Sequence, residues 1–176
     1  MKITCILVAT LLLFILPSNA KGEWKTYHLT EGDFSLYMPQ KPSMKVSKQK
    51  AAKGLVQTYF YQSCINDCII AYSATFADFG KDSHIAKDPD TALEFAKVGA
   101  LRNTNGKLTY ESYIDYKSYP GKEHKFNIET NQGLYVIIQR VYIIDCKIYE
   151  MNVSTPATSQ FMPEHYRFLD SFKIGK

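Results

Sequence analysis

Residues 55–77 read LVQTYFYQSCINDCIIAYSATFA, and their pattern gives the clearest signal of secondary structure in the chain. This stretch holds two runs rich in aromatic and β-branched residues, 55–63 and 69–77, on either side of the short segment Ile-Asn-Asp. Such runs, bounded by turn-forming residues, are typical of β-strands. The stretch therefore predicts a β-hairpin with a cysteine at each end of its turn.

Cys64 and Cys68 would face each other across the end of this hairpin, at the few-ångström separation that a disulfide needs. Closing so short a loop should contribute about 2 kcal/mol to stability. Two other interpretations stay open. A redox-active pair usually has two intervening residues at the start of a helix, whereas three intervene here. A zinc site would need Cys146 and one of the four histidines, none of which lies at ligand spacing from another.

More strand-like runs surround the hairpin. Before it lie residues 24–29 and 34–38, separated by a predicted turn at 31–33, and after it come four runs joined by short turns: 108–116, 123–130, 134–144 and 148–154. The predicted turns between those four include 119–121 and 131–133. Short connections between successive strands indicate an antiparallel meander.

Two helices are predicted. Asp88-Pro89-Asp90-Thr91 is typical of a helix start, and an apolar side follows at three and four spacing: Leu93, Ala96, Val98, Ala100 and Leu101. This helix should end at Asn103 or Asn105. A second is predicted within residues 159–172, mostly after Pro163, with an apolar side that includes Phe161, Tyr166, Phe168, Leu169 and Phe172. The order of elements predicts an α+β domain, a central antiparallel sheet with helices packed on it.

The first twenty residues have the pattern of a secretory signal peptide cleaved after Ala20. Lys2 precedes an apolar run over residues 5–16, and small residues, Ser18 and Ala20, close the segment. Twelve helical residues span about 18 Å, short of the roughly 30 Å that a bilayer core requires. We therefore expect an exported protein, periplasmic or extracellular, whose residues 21–176 form one domain without a membrane anchor.

Composition limits the function classes. Of 176 residues, 45% are hydrophobic and 22% are charged, which excludes a disordered or collagen-like chain and fits one globular domain. Without the first twenty residues, 20 basic and 17 acidic residues leave a net charge of +3. Lysines at 41, 45, 48, 50 and 53 are spaced through a polar stretch, which is typical of a solvated edge strand rather than a nucleic-acid surface.

Cys146 has no partner in the predicted hairpin. It lies between two strand-like runs, near a turn, and is either a free thiol or an intermolecular bridge that would link a dimer.

Several short signatures, in this order, resemble one family: EGDFS at 31–35, Met-Pro at 38–39, YPGKE at 119–123, Ile-Tyr at 148–149 and FLDSF at 168–172. They resemble the secreted PsbP-like proteins of bacteria, relatives in fold of a lumenal photosystem II subunit and of a Ran-binding nuclear import factor. The resemblance implies a sheet between helices, no catalytic residues and a protein-binding role. We also expect no cofactor. The resemblance makes Gly32 and Gly121 turn formers, and Phe34 and Tyr149 core residues. The cysteine pair is not part of the pattern.

Motifs of chemistry are few. No nucleophile elbow, phosphate loop or His-Glu-x-x-His appears. The polar residues before the helix could hold a cation, but a solvated loop with capping acids fits their spacing better: Asp78, Asp82, Ser83, His84, Asp88 and Asp90. Glu123 and His124 are adjacent in a strand and should point to opposite faces, and His28 and His165 have no partner that the sequence reveals.

Tyrosine is abundant, with 13 residues. Tyr59, Tyr61, Tyr113 and Tyr116 fit ordinary sheet packing, although tyrosine is also enriched at interfaces.

Three functions remain as hypotheses. The first is a non-catalytic envelope or extracellular module that binds or assembles another protein through a sheet face or loop tips. The second is a carrier of an apolar small molecule between sheet and helices. The third is a thiol-disulfide enzyme using Cys64 and Cys68.

Overall fold

The computed structural model describes residues 23–51, 54–81, 83, 85 and 87–175. The proposed signal peptide, residues 1–20, lies outside them. Within the described part, the chain forms ten strands and two α-helices: β1 (Lys25–Leu29), β2 (Phe34–Met38), β3 (Ser43–Ala51), β4 (Gly54–Ile65), β5 (Ile70–Asp78), α1 (Pro89–Thr104), β6 (Lys107–Tyr116), β7 (Tyr119–Thr130), β8 (Gly133–Ile144), β9 (Lys147–Pro156), α2 (Pro163–Asp170) and β10 (Lys173–Ile174).

Seven strands form one large antiparallel sheet in the order β3-β4-β5-β9-β8-β7-β6. Helix α1 packs on one face, where Leu93 and Ala96 meet Val141, Ile143 and Ile148. Helix α2 packs on the other face together with a small sheet, β1-β2-β10. The predicted α+β sandwich is confirmed. The small sheet was not predicted, because the sequence placed β1 and β2 in a single layer.

The predicted start of α1 is confirmed. The Asp88 carboxylate accepts a hydrogen bond from the backbone N–H of Thr91 at 3.1 Å, and Pro89 occupies the first turn. Asn105, in the left-handed conformation, ends the helix. Val98 does not join the buried side; 44% of it is exposed.

Two sequence predictions about local structure are wrong: the position of one turn and the role of Gly121. The turn predicted at 119–121 lies two residues earlier, at Lys117 and Ser118, whose positive φ values make a two-residue hairpin turn. Gly121 lies inside β7, with no room for a β-carbon beside the ring of Tyr142. Gly32, by contrast, lies in the predicted turn between β1 and β2, and close packing against the ring of Phe34 also leaves no room for a β-carbon there.

The C-terminal helix is also shorter than predicted. Residues 157–159 form a separate 3-10 turn, and α2 begins at Pro163 because proline lacks the N–H that a helix interior requires. Phe161 is 79% exposed and does not pack on the sheet. Phe168, Leu169 and Phe172 are buried as predicted, although Phe172 follows the helix.

Candidate functional site

The cysteine hairpin forms as the sequence predicts. β4 and β5 pair antiparallel up to Cys64↔Ala71 and Ile65↔Ile70, and the Sγ atoms of Cys64 and Cys68 lie at the bonding distance of 2.03 Å. Asn66, Asp67 and Cys68 all have positive φ values between 52° and 63°. Three successive non-glycine residues in this region are unfavourable, so the disulfide closes a turn that the backbone alone would not prefer.

This hairpin tip supports the start of β3. The side-chain amide of Gln40 donates a hydrogen bond of 2.7 Å to the carbonyl oxygen of Cys64. β3 begins three residues later, and the hydroxyl of Ser43 donates to the carbonyl oxygen of Gln62 at 3.3 Å. The disulfide, the connection from β2 and the first residues of β3 are therefore coupled.

β3 is an edge strand of the large sheet, as the lysine spacing predicts. It pairs with β4 on one side and has no strand on the other among the described residues. Residues 43–48 are all exposed, including Met44 and Val46 at 47% and 45%. We call the unpaired side of β3 the open edge. It presents backbone donors and acceptors to which another extended segment could pair.

The outer part of the β3–β4 hairpin projects beyond the rest of the sheet. The last pair between β4 and β5 is Thr58↔Ala77, whereas β3 and β4 stay paired out to Ala51↔Gly54. Leu55, in this projecting part, is 72% exposed.

The opposite edge, β6, is protected. Its pairing with β7 shifts register between Leu108 and Tyr110, a β-bulge of the kind that hinders strand addition. Glu111 of β6 is held by Lys97 at 2.8 Å and by Lys122. Two hydrogen bonds, the stronger from Lys122 and the weaker from Lys97, lower the pKa of Glu111 to about 2. The two edges of the sheet thus differ in their capacity to accept a further strand.

A groove lies between the C-terminal half of α1 and the sheet. Its cavity volume is about 30 Å³, and Phe60, Ala100 and Ile137 form apolar walls. Its floor is polar: Glu150 is 3% exposed and accepts hydrogen bonds from Gln139 at 3.0 Å and Asn152 at 2.7 Å.

Burial raises the pKa of Glu150. A cavity of about 30 Å³ has room for little more than water, so this groove offers little support for an apolar ligand.

The histidines have structural partners. The ring of His165 bonds the Tyr72 hydroxyl through Nδ1 at 3.1 Å and the Ser159 carbonyl through Nε2 at 2.9 Å. His28 contacts Ser35 at 3.3 Å. His124 contacts Gln139 at 3.1 Å, whereas the neighbouring Glu123 binds Arg140 at 2.7 Å. The side chains of these adjacent residues therefore lie on opposite faces of the sheet, as predicted.

The remaining candidate residues also have local roles. Asp78 accepts from the Gly80 N–H at 2.8 Å; Asp82 and His84 lie outside the described residues. Over the described ranges, no three His, Cys, Asp or Glu side chains are grouped to hold a metal ion. Nor does any helix among them have the length and apolar content to cross a membrane.

The tyrosines are divided between packing and exposure. Tyr61 is buried and its hydroxyl donates to Glu31, and Tyr116 packs edge-on against Phe172. Tyr113 is 68% exposed, with the Lys122 ammonium 4.7 Å from its ring centre.

Cys146 lies half-buried in the turn between β8 and β9 and forms no disulfide within the described chain. A Cys146-linked dimer stays a prediction.

The architecture defines a class: an α+β protein of PsbP-like fold. The chain is similar to cyanobacterial PsbP (CyanoP) from Synechocystis sp. PCC 6803, with a TM-score of 0.56, 12% identity, and coverage of 92% of this chain and 98% of that one. It is also similar to LpqN, involved in cell envelope biogenesis of Mycobacterium tuberculosis, with a TM-score of 0.56, 13% identity, and coverage of 88% and 91%.

At these identities the likeness concerns the fold alone. No protein-family model matches the chain, and no curated protein matches its sequence.

Proposed function

We propose that this protein is an exported, non-catalytic module that binds another protein of the cell envelope or extracellular space, and that it does so through the open edge of β3. The observation that carries the proposal is the contrast between the two sheet edges. Among the described residues both edge strands are unpaired on their outer side, but β3 keeps a regular register from Ser43 to Ala51, whereas β6 is bulged between Leu108 and Tyr110. Addition of a strand to a free edge is an established mode of protein recognition.

The disulfide has a supporting role in this proposal. It fixes the turn next to the start of β3, and Gln40 connects the two. The thiol-enzyme alternative is less favoured, because Cys64 and Cys68 lie in a hairpin turn rather than at a helix start that would lower a thiol pKa. Participation of the LpqN neighbour in envelope biogenesis is compatible with an envelope role, but the fold does not transfer a function.

Proline scanning of the open edge tests the proposal. In an antiparallel edge strand, successive N–H groups point alternately toward the paired strand and away from it. Of the variants Val46→Pro and Ser47→Pro, one therefore removes a bond to β4 and lowers the melting temperature, and the other removes only an outward N–H. Thermal unfolding identifies which is which.

The readout is crosslinking in the cells that produce the protein, with a photoreactive residue at Lys48. We expect a specific adduct that disappears in the stable proline variant. The matched control places the photoreactive residue at Thr109 of β6, where no adduct is expected. An adduct that persists in the stable proline variant would refute binding through the open edge.

A further inference from the structure

We infer that the Cys64–Cys68 disulfide is a substrate of thiol–disulfide exchange, and that its reduction loosens the start of β3 and weakens binding at the open edge. This inference rests on the proposed function and adds the regulation of the same site. Four features of the molecule lead to it: the backbone of the disulfide turn, the exposure of that turn, the hydrogen bonds that join it to β3, and the distance to the third cysteine.

The backbone of the turn favours an open disulfide. Asn66, Asp67 and Cys68 have φ values of 53°, 52° and 63°, a region that is unfavourable for L-residues and is seldom occupied by several in succession. A hydrogen bond of 3.0 Å from the Ile69 N–H to the Asn66 carbonyl oxygen closes the turn. Once the disulfide is reduced, these residues can return to more favourable φ values, and strain of this kind shifts the exchange equilibrium toward the dithiol.

The turn is accessible to a reductant. Cys64 and Cys68 are half-buried, Asn66 and Asp67 are exposed, and 46% of Ile69 is exposed. Exposed disulfides exchange with thiols more readily than those enclosed in a core. An incoming thiolate can therefore approach this bond while the rest of the chain stays folded.

Two hydrogen bonds carry the effect of reduction to β3. The Gln40 side-chain amide donates to the Cys64 carbonyl oxygen at 2.7 Å, and the Ser43 hydroxyl donates to the Gln62 carbonyl oxygen at 3.3 Å. Both acceptors lie in β4 just before the turn, so relaxation of the turn displaces the groups that hold the start of β3. A strand that binds a loosened edge must also order that edge, and this cost lowers its affinity.

Cys146 of the same molecule cannot supply the electrons. It lies beside the end of β5 at Asp78, which pairs with Lys147, whereas the disulfide lies beside the start of β5 at Ile70. The two ends of this strand are about 26 Å apart at the usual rise per residue. The reductant is therefore external, and we assign it to the class of Cys-x-x-Cys dithiol proteins, whose low thiol pKa supports the attack.

The exchange balances in two steps. A thiolate of the external dithiol attacks Sγ of Cys68 and forms a mixed disulfide, and the electron pair of the broken bond passes to Sγ of Cys64, which takes a proton from water. The second thiol of the reductant loses its proton, attacks the mixed disulfide and releases the Cys68 thiolate. Two electrons have then passed to this protein, and the reductant has gained one disulfide.

Equilibration with mixtures of reduced and oxidised glutathione tests the reducibility of the bond. Alkylation and peptide mass spectrometry give the reduced fraction of Cys64 and Cys68, with Cys146 counted separately. We expect reduction while circular dichroism still reports folded protein. In Asp67→Gly the equilibrium constant for reduction should fall at least about threefold, because glycine adopts positive φ without penalty. Reduction only on unfolding, or an unchanged constant in Asp67→Gly, would overturn the inference.

Ser118→Gly is the matched control for this comparison. It also places glycine at a positive φ, but in the turn between β6 and β7. Its equilibrium constant for reduction should equal that of wild type. A fall of the same size in this control would show that the effect does not arise in the disulfide turn, and would overturn the inference.

Crosslinking at Lys48 tests the control of binding. Cys64→Ser/Cys68→Ser imitates the reduced state, and Gln40→Ala keeps the disulfide but removes its connection to β3. We expect the adduct yield to fall at least about fivefold in both, at a temperature where thermal unfolding shows each variant to be folded. A wild-type yield in either variant would overturn redox control and leave the proposed function standing. If instead the stable proline variant retains the adduct, the proposed function itself fails.

Discussion

The side-chain amide of Gln40 and the carbonyl oxygen of Cys64 form a hydrogen bond of 2.7 Å that joins the β2–β3 connection to the disulfide hairpin. Through this contact the Cys64–Cys68 disulfide affects more than its own turn. The disulfide, the connecting segment and the start of the open edge form a single structural unit.

Removal of the Cys64–Cys68 disulfide should therefore lower the free energy of unfolding and make the start of β3 more dynamic. We expect Cys64→Ser/Cys68→Ser to reduce the free energy of unfolding by about 2 kcal/mol, since the closed loop is short. Hydrogen exchange should increase at residues 43–46 as well as at the turn. Gln40→Ala, the matched variant, should increase exchange at the start of β3 and leave the disulfide intact. Unchanged exchange at β3 in both variants would contradict the coupling.

A pair of substitutions distinguishes the observed turn from the one that the sequence predicted. Ser118 has φ 72°, so Ser118→Gly should be neutral or stabilise by up to about 1 kcal/mol. At Gly121 a β-carbon would lie 2.5 Å from Cδ1 of Tyr142 and 2.6 Å from the carbonyl oxygen of Val141. Gly121→Ala should therefore cost about 2 kcal/mol. Chemical denaturation measures both values, and a destabilising Ser118→Gly would argue against the turn at 117–118.

The sequence predicted those elements whose signals are local. The hairpin at 55–77 and the Asp88 cap were identified correctly because alternation, turn residues and capping chemistry act over a few positions. The small sheet was missed because Phe34 pairs with Ile174, some 140 residues away, and a two-residue strand has no pattern of its own. Of the candidate site, lysine spacing identified the edge strand. The burial of Glu150 depends on which segment packs over it. The alternation of residues along a strand carries no information about that segment.

Glu150 should make stability depend on pH. Its pKa is raised by burial above that of the unfolded chain, so its stabilising contribution is present at low pH and is lost as pH rises through the folded-state pKa. Glu150→Gln keeps one oxygen to accept from Gln139 and Asn152 without the buried charge. We expect the variant to be more stable than wild type at pH 8, with the difference shrinking toward pH 4.

Urea denaturation across this pH range measures that difference. The comparison of variant with wild type cancels the titration of groups that are not connected to Glu150. His124, which contacts Glu150 through Gln139, has a pKa lowered by burial, so its titration acts in the opposite direction. Glu129→Gln, at an exposed site in β7, is the matched control and should show no comparable trend. A constant difference between Glu150→Gln and wild type would show that Glu150 does not change its ionisation on folding.

The Tyr72–His165 hydrogen bond should define one tautomer of a buried imidazole. Because the Ser159 carbonyl can only accept, Nε2 of His165 carries the proton and Nδ1 accepts from the Tyr72 hydroxyl. Tyr72→Phe leaves Nδ1 buried without a donor and should cost about 1–2 kcal/mol. Tyr135→Phe removes an exposed hydroxyl bonded to Gln132 and should cost less than about 0.5 kcal/mol. Nitrogen-15 NMR of the imidazole reports the tautomer, and a protonated Nδ1 in the wild type would overturn this assignment.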